Sequence, residues 1–206
     1  NEIDPCAEKQ FSAITVYPGD GTACVIYRGT DGTVVGWKED CTMTFADRIP
    51  AQADAVQYLE VAARQTPCPL RLAGHSKGGN LAVYAASLCS PATRGRILDV
   101  HSFDAPGQTR AVAEGEGYRS VAPRVRAYIP QSSVVGMLFS HTEDYVVVKA
   151  SSFGLFQHNP YTWQIRGARF VAADQVTRAS GAISAAMRHW FESLPPEKRR
   201  DYVDAL

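Results

Sequence analysis

The sequence predicts an α/β domain of three layers, with helices packed on a mostly parallel central sheet. Three observations predict it. After an opening hairpin, short apolar runs alternate with longer segments of helical period, as parallel strands joined by helical crossovers require. Thr30, Ser76, Asp104 and the segment after Ala150 all fall where a predicted strand ends, and open parallel sheets gather their ligand groups at those carboxyl ends. At the centre, the apolar run 70–73 stops at Gly74, turns through His75, Ser76, Lys77, Gly78 and Gly79, and opens into a helical pattern.

Each element has its own signal. Residues 11–17 (Phe-Ser-Ala-Ile-Thr-Val-Tyr) read as a strand, Pro18-Gly-Asp-Gly21 as a turn, and 23–27 as the second strand of a hairpin. The loop 28–33, Arg-Gly-Thr-Asp-Gly-Thr, consists of residues that tolerate tight turns and cap helices. Residues 34–45 fit either a short helix or a bent loop. A helix follows over 47–66, with Pro50 in its first turn, a stripe of Ala51, Ala55, Leu59 and Ala62, and Pro67 to close it. The strand 70–73 leads to a helix over 79–89 with Leu81, Ala82, Ala85 and Leu88 at core spacing. Strands are expected at 97–103, ending in Asp104-Ala-Pro-Gly107, at 125–129 before Pro130, and at 145–150. Between the last two, residues 131–144 carry Val134, Val135, Met137, Leu138 and Phe139, which suit a core helix or an apolar flap. Residues 174–194 form a long amphipathic helix with Val176, Ile183, Met187, Trp190 and Leu194 on one side, stopped by Pro195 and Pro196.

With 206 residues and 45% hydrophobic content, the chain has enough apolar material for one domain spanning 1–206. Its 21 basic and 21 acidic residues balance, which argues against a nucleic-acid partner or a polybasic membrane surface. No apolar run reaches bilayer-spanning length. Cys6, Cys24, Cys41, Cys68 and Cys89 lack paired spacing. They read as reduced thiols, which favours the cytoplasm. The chain opens on Asn1 without a signal-peptide pattern and ends inside a helical pattern, so we expect a piece of a longer protein.

Gly-x-Ser-x-Gly between a strand and a helix points to chemistry because the turn strains the serine backbone and lifts its hydroxyl to the strand's end. Gly74 and Gly78 let strand and helix approach around it. Ser76 is the candidate nucleophile. It needs a base, and the base needs an orienting acid. Of the five histidines, His75 precedes the serine and would point away, His101 lies in a strand, His141 in the apolar segment and His189 on the long helix. His158 follows the last strand, in a loop closed by Asn159-Pro160, and comes after Ser76 in chain order, so it is the candidate base. Asp104 at a strand end is the first candidate acid and Asp144 the alternative. The N–H of Lys77 and the Arg28-Gly29-Thr30 loop are candidate oxyanion donors, with the Thr30 hydroxyl able to add a bond.

These motifs resemble class 3, or fungal-type, lipases of the α/β-hydrolase superfamily. Tyr27-Arg-Gly-Thr30 followed by Trp37 and Asp40 is similar to that family's oxyanion segment, and Gly74-His-Ser-Lys-Gly-Gly79 to its nucleophile elbow. Phe103-Asp-Ala-Pro106 sits where the family has a strand ending in a small-residue–Pro turn. The run 11–163 is more closely similar to a bacterial group with Arg-Gly-Thr-Asp…Gly-Trp-Lys-Glu-Asp, Gly-His-Ser-Lys-Gly-Gly-Asn-Leu-Ala, Asp-Gly-Pro-Gly and Gln-His-Asp-Pro motifs. Position by position, the resemblance implies Ser76 as nucleophile, His158 as base, and Thr30 with Lys77 at the oxyanion hole. It also shows a departure. Class 3 lipases carry their acid in an Asp-x-Val-Pro turn after the next strand, where this chain reads Pro130-Gln-Ser-Ser-Val134. The acid therefore sits elsewhere, and Asp104 matches its place in other lipases of the superfamily.

The expectation is a serine hydrolase of carboxylic esters that needs no metal or organic cofactor. Its substrate is a small-molecule ester or lipid, with transient contact at a lipid interface if 131–144 is a lid. A thioesterase or amidase uses the same machinery, and a hydrolase-shaped binding module is the reading from another class. Lys77 is expected to reach solvent, or else to favour an anionic substrate.

Overall fold

The computed structural model describes residues 2–43, 46, 48–138, 144–193, 195, 198 and 201. The chain opens with two short antiparallel strands, β1 (Glu2–Asp4) and β2 (Lys9–Phe11). The predicted hairpin follows as β3 (Ala13–Val16) and β4 (Ala23–Tyr27). Val34–Met43 form a helix, α1, and α2 (Pro50–Gln65) follows. The elbow strand β5 (Leu70–His75) leads to α3 (Lys77–Leu88), the short α4 (Pro91–Gly95) and β6 (Ile97–Phe103). Two small helices, α5 (Arg110–Ala113) and α6 (Glu116–Val121), precede β7 (Val125–Pro130) and β8 (Tyr145–Val148). A hairpin of β9 (Ile165–Arg166) and β10 (Arg169–Phe170) and then α7 (Arg178–Ser193) complete the described elements.

The main sheet has six strands in the order β3-β4-β5-β6-β7-β8. Only β3 runs antiparallel; every other neighbouring pair is parallel. The mostly parallel sheet flanked by helices is the predicted architecture. Because strand side chains alternate faces, Val25, Tyr27, Leu70, Leu72 and Val100 all turn toward one side and are essentially inaccessible. They meet Ala51, Ala55 and Leu59 of α2, Leu81, Ala82 and Ala85 of α3, and Tyr118 and Val121 of α6. On the opposite side, Phe103 and Tyr128 stack, and Phe170 of the β9–β10 hairpin and Trp163 pack against them.

Two helical readings need correction. The spacing of Leu88 predicts a core position, but it sits in the last turn of α3 and is 49% exposed. On α7, Ile183 and Trp190 stay nearly half exposed, while Ser180 and Ser184 are buried. The helix is held at the sheet's rim by short polar contacts: the Ser180 hydroxyl donates to the Ser133 carbonyl and the Thr177 N–H to the Gln131 carbonyl.

The segment after β7 is neither a core helix nor a free flap over its described part. It makes a tight turn and a single 3-10 turn at Val135–Met137, with Ser133, Val134 and Gly136 buried. Residues 139–143, with Phe139 and His141, lie outside the described residues.

Candidate active site

Ser76 stands between the last residue of β5 and the first of α3 with φ 56° and ψ −130°. That is a conformation L-residues rarely hold, at a cost of about 1–3 kcal/mol. The surroundings enforce it. The Ser76 N–H donates to the Phe103 carbonyl at 2.9 Å, extending the β5–β6 ladder one residue past the strand. The Ser76 carbonyl accepts from the N–H groups of Gly79 (3.0 Å) and Asn80 (3.3 Å), starting the helix. A Cβ on Gly78 would overlap the Tyr27 carbonyl, and one on Gly74 would overlap the Gly78 carbonyl. The crossing of β4, β5 and α3 thus closes only over bare backbone.

The Ser76 Oγ lies 3.0 Å from His158 Nε2, and His158 Nδ1 lies 2.7 Å from Asp104 Oδ2. A carboxylate only accepts, so the proton of the neutral ring sits on Nδ1 and Nε2 is left to accept from the serine hydroxyl. His158 ends a 3-10 turn (Gly154–His158) that is fastened to its neighbours. Gln157 accepts from the Ser132 N–H and donates to the Ser152 carbonyl, both at 2.8 Å. The Trp163 indole donates to the Gln157 carbonyl. His75 Nε2–H donates to the His158 carbonyl at 2.7 Å, with the two rings 4.6 Å apart. His75, set aside as a base because it precedes the serine, instead grips the backbone of His158. Burial first, then the neighbouring His158, hold the His75 imidazole below its usual pKa.

Asp104 is fully buried and also has positive φ, 43°. Its N–H donates to the Tyr128 carbonyl at 2.8 Å, so it too rides one residue past its strand. One carboxyl oxygen faces His158. The other accepts from the Ser133 hydroxyl and from the Gly136 N–H (3.1 Å). Sequence reasoning missed both partners, although Ser133 lies in the very Pro130–Val134 turn flagged for lacking a carboxylate. That turn contributes donors to an acid from the neighbouring strand. Asp144 is exposed just before the first residue of β8. That is the amino end of a parallel strand, and Ser76 lies past the carboxyl end of another. Asn80 ties the Asp104 loop to α3: its amide donates to the Gly107 carbonyl at 2.6 Å and accepts from Gln52 of α2 at 3.0 Å.

The loop 28–30 lies against the elbow, where a Cβ on Gly29 would come within 2.8 Å of the His75 carbonyl oxygen. Among the described residues, the backbone N–H groups of Thr30 and Lys77 have no partner. The Thr30 hydroxyl gives its single proton to Asp40 Oδ2 at 2.5 Å. Burial pushes the Asp40 carboxyl up to about 6, with the Thr30 bond opposing it. Lys77 overturns the solvent-exposed expectation: it is 1% exposed, and its ammonium lies 2.8 Å from the buried Glu39 carboxylate. A charge so placed cannot meet an anionic substrate either. A lysine's usual exposure was the wrong guide because a complementary carboxylate from α1 waits inside.

A cleft of about 700 Å³ is lined by Arg28, Thr30, His75, His158 and Tyr161. Tyr161 on its rim and Phe153, Leu155 and Phe156 beyond it stand 68–96% exposed on and beside the loop that carries His158. Among the described residues, no group of three His, Cys, Asp or Glu is disposed to hold a metal, and no helix is long and apolar enough to cross a membrane. Cys6, Cys24, Cys68 and Cys89 are free thiols.

A family model described as Mbeg1-like matches residues 1–206. The chain belongs to the Mbeg1-like family. No curated protein matches it. Among solved structures, this Mbeg1-like chain is similar to the lipase of Rhizomucor miehei in its native propeptide complex, with 15% identity and a TM-score of 0.52. A deletion mutant of that lipase complex gives 16% identity, a TM-score of 0.50, and 68% coverage of this chain against 52% of the lipase. Likeness at this identity establishes the fold, an α/β-hydrolase fold of lipase type. The chain spans about half the length of the lipases it matches, covering 52% of the native one with 67% of its own residues.

Proposed function

We propose that this protein is a serine hydrolase that cleaves carboxylic esters through an acyl-enzyme on Ser76. The observation that carries the reading is the continuous chain of hydrogen bonds from Ser76 through His158 to a buried Asp104 whose far oxygen is also occupied. In this reading the Ser76 Oγ attacks the ester carbonyl while His158 Nε2 takes its proton. Asp104 holds the ring in that tautomer and steadies the imidazolium. The proton then passes to the leaving alcohol, and water repeats the sequence on the acyl-enzyme. The oxygen that becomes negative in the tetrahedral intermediate is met by the Lys77 and Thr30 N–H groups at the positive end of α3, each such donor being worth about 3 kcal/mol. The Thr30 hydroxyl is not a donor here, because its proton is committed to Asp40.

The apolar rim of Phe153, Leu155, Phe156 and Tyr161 favours esters with apolar acyl chains and a passing contact with a lipid surface. The test is hydrolysis of p-nitrophenyl esters of increasing chain length, alongside a thioester and an anilide. Wild type is expected to turn over esters fastest. Asp104→Asn is expected to lose roughly 10³–10⁴ in kcat, and Asp144→Asn to keep the wild-type rate. Equal losses in the two variants, or a folded wild type inert to all three substrate classes, would overturn the reading in favour of a binding module.

A further inference from the structure

The side chains of Lys77 and Glu39 are buried to 1% and 0% exposure, and neither takes part in the chemistry above, which uses only the Lys77 backbone N–H. Every hydrogen-bonding position of the ammonium is filled: Nζ donates to Glu39 Oε2 at 2.8 Å, to the Gln10 side-chain Oε1 at 2.6 Å and to the Gln10 carbonyl at 2.9 Å. Glu39 in turn reaches three segments. Its Oε2 also accepts the Gln10 N–H of β2 (3.0 Å), and its Oε1 accepts the Ala51 N–H in the first turn of α2 (3.0 Å). A buried ion pair rarely adds net stability over apolar residues of the same volume, and its best-attested use is to impose one geometry.

The place of this pair says which geometry is imposed. Lys77 is the first residue of α3, directly after Ser76, whose positive φ persists only if its neighbours are held. The next residue of α1, Asp40, holds the Thr30 hydroxyl. The adjacent carboxylates Glu39 and Asp40 therefore reach the side chains of Lys77 and Thr30, the two residues whose N–H groups the proposed function assigns to the oxyanion. We propose that Glu39 is a positioning residue: through the buried Lys77 ammonium it locks the first turn of α3, and with it the spacing between the Lys77 and Thr30 N–H groups. Gln10 makes the β1–β2 hairpin part of the same clamp. The inference rests on the serine-hydrolase reading, since it concerns a donor pair that matters only if an oxyanion forms.

The test uses Glu39→Gln, which keeps shape and loses charge, and the double variant Glu39→Leu/Lys77→Met, which replaces the pair with apolar side chains. Circular dichroism and thermal melting establish folding. kcat and KM for p-nitrophenyl butyrate and the rate of inactivation by a fluorophosphonate are then compared with wild type. The expected result is a folded double variant with kcat roughly ten- to hundredfold lower, inactivation slowed in parallel, and KM within about twofold, because binding does not require the donors to be aligned. Glu39→Gln is expected to lie between the two. A merely structural pair would shift the melting temperature and leave kcat intact, and that outcome overturns the inference while wild-type reactivity keeps the hydrolase reading. A double variant that does not fold makes the pair a folding requirement and also overturns the positioning role. A folded wild type inert to the fluorophosphonate overturns both.

Discussion

Ser76 and Asp104 hold positive φ angles of 56° and 43°, and each sits one residue beyond a parallel strand with its N–H still bonded to the neighbouring strand. The strain lifts both side chains off the sheet toward the same side, where His158 lies between them. Removing a support should therefore act on turnover before stability. Ser133→Ala takes away one of the two donors to the far Asp104 oxygen, and kcat is expected to fall roughly tenfold with little change in KM, measured by steady-state ester hydrolysis. Asp40 carries a separate signature. Burial raises its folded pKa to about 6 from an ordinary 3.8, so the folded state holds the proton more tightly than the unfolded chain. The protein loses stability as pH rises from about 4 through 6, by up to roughly 3 kcal/mol for a shift of this size. Asp40→Asn, which keeps an acceptor for Thr30, should flatten that part of the profile in denaturant titrations at pH 4, 6 and 8. A wild type and variant with parallel profiles would contradict it. At this scale Ser76, Asp104 and His158 were legible as candidates, because the first two lie at strand ends marked by apolar runs and turn residues and His158 lies in the loop after the last strand of the main sheet. Ser133, Gly136, Glu39 and Gln10 were not. They are 29, 32, 38 and 67 residues from the groups they hold, and no local pattern marks a contact made by topology alone.

Among elements, the crossing of β4, β5 and α3 leaves no room for added atoms. A methyl at Gly78 meets the backbone carbonyl of Tyr27, which cannot swing aside as a side chain would. Gly78→Ala is expected to cost 2 kcal/mol or more, at about the upper end for overpacking, whereas Gly95→Ala, with nothing within 4 Å, should be neutral. Chemical denaturation of the two variants distinguishes them, and equal midpoints would contradict the close-crossing account. The regular elements were legible where period and punctuation agree: β4, β6 and the Ala51–Ala62 stripe of α2 lie where the pattern puts them. The pattern fails in two ways. Residues 11–17 read as one strand, but only Ala13–Val16 pair with β4, and Phe11 belongs to β2 in a separate hairpin. The apolar stripe of α7 misled because the helix contacts the rim of the sheet through Ser180 rather than burying a broad face.

Over the whole molecule, the sequential parallel order from β4 to β8 brings successive carboxyl ends side by side. Residues 30, 76, 104 and 158 thus converge without long-range threading. This is why fold class and site location could be read together: alternating strands and helices dictate the sheet, and the sheet dictates which loops meet. The lipase-type fold of the solved structures agrees with the predicted fold class, and the chemistry is a matter for experiment. The most direct measurement is to treat the protein with a fluorophosphonate and locate the adduct by peptide mass spectrometry. The account requires a single phosphonylated residue, Ser76, absent in Ser76→Ala and formed at least about a thousandfold more slowly in His158→Ala and Asp104→Asn. A folded wild type without an adduct, or one labelled at the wild-type rate after His158→Ala, would contradict it.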